Sequence, residues 1–153
     1  MSGPGVPGAP APLRVLLLDD DVFMLDVLAD MLGQLGGYAV EAESDARRAL
    51  LGLARYAPDL MICDLSLPDM DGIEFMHAAA CAGFHGAVML LSGMDSGVRQ
   101  AAEHLARAHG LRVIGAYKKP ITLAQLDGAL LPLRQGRAGV HENSNNLTPY
   151  SGK

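Results

Sequence analysis

The chain has 153 residues, half of them apolar and 19% charged, which is enough apolar material for one packed body and leaves little room for a second sizeable domain. Seventeen acidic residues against twelve Lys and Arg give a net charge of −5, so no basic surface is available for direct nucleic-acid binding. No apolar run approaches the roughly eighteen residues of a membrane span, and the first twelve residues lack the pattern of a signal peptide. Neither export nor anchoring is expected. Cys63 and Cys81 lie in apolar stretches without disulfide or metal-ligand spacing, which fits a reducing cytoplasm.

Residues 1–12 (MSGPGVPGAPAP) have no periodicity and are read as a flexible leader. The folded body is expected over 13–134. The polar, Asn/Ser/Gly-rich stretch 135–153 is expected as a flexible tail or linker. Within the body, short apolar runs at Leu13–Leu18, Tyr38–Glu43, Asp59–Cys63, Ala87–Ser92 and Arg112–Ala116 predict five strands. Between and after them, stretches of helical period predict helices at Val22–Leu35, Asp45–Tyr56, Ile73–Ala82, Ser96–His109 and Leu123–Leu133. Gly36 and Gly37 stop the first helix, and Thr122 is expected to cap the last. Strand and helix alternating in this way predict an α/β fold, a flavodoxin-like doubly wound five-stranded parallel sheet flanked by five helices. Ligands in such sheets sit beyond the carboxyl ends of the strands.

The first predicted strand ends in Asp19-Asp20-Asp21. One acid suffices to cap the following helix, and Asp21 is placed for it. Three acids crowded at one strand end repel one another, which a hard divalent cation would relieve. The third strand ends at Asp64, which a doubly wound order brings beside Asp19 and Asp20. The fourth ends in Ser92-Gly93, and the fifth is followed by Lys118-Lys119-Pro120. Each group alone has an ordinary explanation as turn, cap or solvated surface. Together, acids, a hydroxyl and an ammonium reach one edge of the sheet.

The words LLLDDD, CDLSLPDMDG, LLSG and KKP, in this order and each at a strand end, make the chain resemble the receiver domain of bacterial two-component response regulators, across nearly all of the folded body. The resemblance implies a signalling domain that catalyses its own phosphorylation and dephosphorylation. Asp64 would be the phospho-acceptor, Lys119 the active-site lysine and Ser92 the switch hydroxyl. Mg²⁺ would be held by Asp20, Asp64 and the backbone carbonyl of Ser66, with Asp19 acting through a coordinated water. Pro68 and Gly72 would shape the loop after the acceptor. The phosphoryl donor would be a sensor histidine kinase or histidine phosphotransfer protein, and the output a downstream protein or a covalently linked domain. The chain departs from the pattern at Ala116, three positions before Lys119, where many receivers carry a switch aromatic. Tyr117 follows, and strand alternation sends it to the opposite face from Ala116. The stretch GLRVIGAYKKPI also looks similar to receivers joined to EAL-type cyclic-di-GMP phosphodiesterase domains.

An enzyme alternative is a haloacid-dehalogenase-type phosphohydrolase, whose hhhDxDx pattern LLLDDDVF also fits, with Asp19 as nucleophile and Asp21 as acid/base. That family needs an acidic pair after its lysine, and beyond Lys119 only the unpaired Asp127 and Glu142 remain. Cys63 is read as a small buried apolar residue, and the five histidines as surface or helix-end residues without ligand spacing.

Overall fold

The apolar runs pair into a single parallel sheet. The computed structural model describes residues 11–138 apart from Asp69 and Met94, so most of the expected leader, and the expected tail beyond residue 138, lie outside the described residues. Strands β1 (Leu13–Leu18), β2 (Tyr38–Glu43), β3 (Leu60–Asp64), β4 (Ala87–Ser92) and β5 (Arg112–Lys118) stand in the order β2-β1-β3-β4-β5. Every neighbouring pair is parallel. Helices α1 (Val22–Leu35), α2 (Ala46–Tyr56), α3 (Gly72–Cys81), α4 (Ser96–Ala108) and α5 (Leu123–Ala138) follow the five strands in turn. The flavodoxin-like doubly wound architecture is therefore as expected. Among the described residues, no helix is long and apolar enough to cross a membrane.

Side-chain alternation divides the buried residues into two cores. Val15, Leu17, Ile62, Met89 and Leu91 face α1 and α5, where Leu28, Leu32, Leu126 and Leu130 cover them. Leu16, Leu18, Met61, Val88 and Leu90 face α2, α3 and α4, meeting Leu53, Phe75, Met76 and Ala106. Covering both faces explains why β3 and β4 are buried along their whole length. Each large apolar side chain so enclosed contributes roughly 1.5–3 kcal/mol.

Helix starts are fixed by side chains at the carboxyl edge of the sheet. Asp21, Asp45, Asp71 and Asp95 cap α1 to α4 by accepting backbone N–H groups. Thr122 caps α5 as expected: its hydroxyl accepts from Gln125 N, and Gln125 Oε1 accepts from Thr122 N. These caps correct two boundaries, since Asp45 stands outside α2, and the reciprocal Asp71–Glu74 box starts α3 at Gly72 rather than Ile73. β3 includes Asp64, β5 continues to Lys118, and α5 continues past Leu133 to Ala138 despite Pro132. The apolar periodicity of α5 ends at Leu133, so the sequence pattern carries no sign of the turn that follows it. Cys63 is buried as expected, whereas Cys81, expected in apolar surroundings, is exposed. The 200° of helix turn between buried Ala79 and Cys81 carries the latter to the solvent side.

One irregularity bears on the departure at Ala116. Val88 pairs with Val113, but Met89 pairs with Gly115, so β5 carries one residue more than β4 at this point. The bulge sets Val113 and Ala116 in the core beneath α2 to α4, and Ile114 and Tyr117 in the core beneath α1 and α5. Tyr117 thus lies on the opposite face from Ala116, as alternation implies. Its ring covers Gly115 so closely that a Cβ there would meet Tyr117 Cε1 at 2.7 Å.

Candidate functional site

The strand order brings the ends of β1, β3, β4 and β5 together, and with them Asp19, Asp64, Ser92 and Lys119. Asp19, Asp64 and Ser92 are buried polar residues, while Asp20 is exposed. Backbone geometry joins these ends: Leu65 N donates to Leu91 O at 3.0 Å, and Lys119 N donates to Ser92 O at 2.8 Å. Gly72 lets the loop after Asp64 fold back upon α3. A Cβ at Gly72 would lie 2.7 Å from the Asp64 carbonyl oxygen and 2.8 Å from Leu65 Cα, so any side chain there displaces the backbone beside Asp64.

Lys119 Nζ stands 2.8 Å from Asp19 Oδ2 and 3.3 Å from Asp64 Oδ1. Lys118, its neighbour, is exposed. Asp64 Oδ1 also accepts from Ser66 N at 3.1 Å, and Asp19 Oδ1 accepts from Asp21 N at 2.9 Å. These bonds orient both carboxylates toward the lysine. Burial pushes the Asp64 carboxyl above the usual carboxylate range, and the Asp19 charge adds to that rise, against the Ser66 N–H and Lys119, which lower it. Burial alone lowers the Lys119 ammonium, but hydrogen bonding to Asp19 and the two nearby carboxylate charges leave it above its ordinary value. It is a fixed positive charge at neutral pH.

Ligand oxygens of Asp19, Asp20 and Asp64 all lie within 4.8 Å of one another. Asp19 Oδ2 is buried, and the Lys119 ammonium is its charge partner at 2.8 Å. Three converging carboxylates beside a single ammonium keep an excess of negative charge, and an all-oxygen donor set of this kind fits a hard divalent cation. Every sequence-predicted side chain of the site is therefore at this edge. Asp21 is not part of the cluster, for its Oδ1 accepts from Phe23 N and Met24 N at the start of α1.

Residues 15–130 match the response regulator receiver domain family, and the chain belongs to it. It is a signalling receiver domain of two-component systems. Among curated proteins it is 30% identical over 119 residues to the cyclic di-GMP phosphodiesterase RocR of Pseudomonas aeruginosa, covering 77% of this chain and 30% of that protein. The chain spans about a third of the length of the first curated relatives it matches. Among solved structures, a response regulator from Colwellia psychrerythraea is 36% identical, with a TM-score of 0.67 over 79% of this chain and 95% of that one. Vibrio cholerae CheY4, a chemotaxis protein, is 26% identical, with a TM-score of 0.69 over 80% and 98%. The haloacid-dehalogenase alternative has no support: its acid/base, Asp21, is a helix cap.

Proposed function

We propose that Asp64 accepts a phosphoryl group from a phosphohistidine of a sensor histidine kinase or histidine phosphotransfer protein, and that the modified chain presents a changed protein-binding face. The observation that carries this is the Asp64 carboxylate, buried 3.3 Å from Lys119 Nζ and within 4.8 Å of two further carboxylates. An Asp64 oxygen attacks phosphorus, a P–O bond forms as the P–N bond breaks, and the bonding pair returns to the imidazole. Negative charge spreads over the equatorial phosphoryl oxygens during this step. Lys119, held by Asp19, offsets it as a point charge. Mg²⁺ held by Asp20, Asp64 and the Ser66 carbonyl, with Asp19 acting through water, would supply the rest of the positive charge. The Ser92 hydroxyl, at the end of β4, would donate to the phosphoryl group on Asp64. Because Ala116 replaces the usual aromatic and Tyr117 is packed on the far face, the response to phosphorylation would pass through Ser92 and the loop into α4, without an aromatic rotamer change.

The composition, and the absence of a spanning helix among the described residues, support action in the cytoplasm. The similarity to RocR supports an output of the cyclic-di-GMP phosphodiesterase type, linked or separate. Incubation with acetyl phosphate and Mg²⁺, read by intact-mass spectrometry, tests the assignment. One phosphoryl group should add to the chain and none to Asp64→Asn. An equal gain in the variant would reject Asp64 as acceptor.

A further inference from the structure

The fold brings a second set of ligand-type side chains together on the far side of α3. His77 and Cys81 are four residues apart on that helix, hence on one face, and Cys81 Sγ stands 3.8 Å from His77 Nε2. Two ligands of one tetrahedral zinc ion, an imidazole nitrogen at about 2.0 Å and a thiolate at about 2.3 Å, are separated by roughly 3.6 Å. The pair is thus already near the spacing a metal would impose. His109, which ends α4, brings a second imidazole from the neighbouring helix, its ring centroid 4.6 Å from that of His77. Both rings border an open cavity of about 440 Å³ between α3 and α4, with room for a water ligand.

We propose that His77, Cys81 and His109 form a site for a borderline-soft divalent transition metal of the zinc type, which clamps α3 to α4. Imidazole and thiolate select such a metal over Mg²⁺, which prefers oxygen. The acidic trio is the one group of described residues whose ligand atoms all lie within 4.8 Å as placed, so closing the second site requires side-chain rotation. All three residues are exposed, and exposed side chains change rotamer on the picosecond-to-nanosecond scale. On binding, the Cys81 thiol gives its proton to solvent as the metal–sulfur bond forms. The clamp ties the helix after Asp64 to the helix after Ser92 and uses none of the acidic-pocket residues.

The test is a Co²⁺ titration of the untagged chain under reductant, with excess Mg²⁺ to fill the acidic pocket. Visible bands of tetrahedral cobalt and a near-ultraviolet thiolate-to-cobalt band should appear together, saturate at one equivalent and disappear on adding Zn²⁺. Cys81→Ser should remove the thiolate band; His77→Ala and His109→Ala should each weaken binding at least about tenfold. The exposed His104 on α4 is outside the cavity, and His104→Ala should change nothing. Circular dichroism of each variant checks that the fold is intact. The proposal is overturned if the wild-type chain shows no thiolate band, if His109→Ala binds as tightly as wild type, or if the band belongs only to a dimer.

Discussion

At the amino edge of the sheet, Asp59 accepts the backbone N–H of Arg14 at 2.9 Å, and the Arg14 guanidinium donates to the Tyr56 carbonyl at 2.7 Å while lying 4.5 Å over the Tyr56 ring. At the carboxyl edge, three carboxylates converge within 4.8 Å, and among the described residues Lys119 is the cation paired with two of them. Both edges collect the acids and bases that strand ends expose. The amino edge satisfies its charged groups locally with backbone and ring partners, whereas the carboxyl edge keeps an excess of negative charge that calls for an added cation. Four more aspartates near the carboxyl edge are committed to helix N–H groups as caps. What sets Asp19, Asp20 and Asp64 apart from the capping aspartates is that their oxygens converge on one another rather than on a helix.

The sharpest way to test this contrast is to remove the Lys119 charge. Lys119→Ala should slow phosphate uptake from acetyl phosphate about 10²-fold, the scale of losing one preorganised charge partner of a developing anion. Stopped assays read by intact mass measure it, and an unchanged rate would mean that Lys119 only balances Asp19. Next in size is the response to Mg²⁺. A ligand at 100 times its Kd stabilises the folded state by about 2.7 kcal/mol, so millimolar Mg²⁺ should raise the melting temperature by several degrees and Asp20→Asn should remove most of the rise. Identical shifts in both chains would place the cation elsewhere. At the amino edge, Asp59→Ala should cost about 0.5–1.5 kcal/mol in denaturant unfolding, the net worth of the exposed hydrogen bond from Arg14 N, with phosphate uptake unchanged. Impaired uptake in that variant would erase the distinction between the edges.

The sequence showed the carboxyl edge well, because the strand ends were legible. The runs LRVLLL and AVMLLS carry their own boundaries, and a doubly wound order then places Asp64 beside Asp19. Lys119 was separable from Lys118 only by its position before Pro120 in a family word; the structure adds the physical difference, one amine facing the carboxylates and the other facing solvent. The bulge in β5 was not legible, since a one-residue slip is a property of two strands and Gly115 was its only local sign. The approach of His77 to His109 was hidden for a related reason. It depends on how α3 and α4 lie against the same sheet face, although the four-residue His77–Cys81 spacing is itself legible in the sequence.

The smallest effect concerns the sign of Asp64's own contribution to stability. Burial first, and then the Asp19 charge, raise its carboxyl above the usual range, and the Ser66 N–H and Lys119 oppose this. The folded chain therefore keeps this proton at pH values where the unfolded chain has lost it. Stability from this group falls as pH rises from the ordinary carboxylate value through the raised one, and stays lower above it. Lys119, raised by its carboxylates, runs the other way: its contribution is present below the ordinary lysine value and is lost as pH climbs through the folded one. Asp64→Asn keeps the 2.8 Å Lys119–Asp19 pair while removing a buried charge. Without Mg²⁺ it should melt slightly higher than wild type near neutral pH, and the gain should vanish below the ordinary carboxylate range. With saturating Mg²⁺ the gain should shrink or reverse, because the wild-type charge then has a partner. Thermal melts across about pH 3 to 8 decide it. A variant less stable than wild type at neutral pH without Mg²⁺ would mean that Lys119 attracts Asp64 more than burial penalises it, and the carboxyl edge would then be as self-balanced as the amino edge.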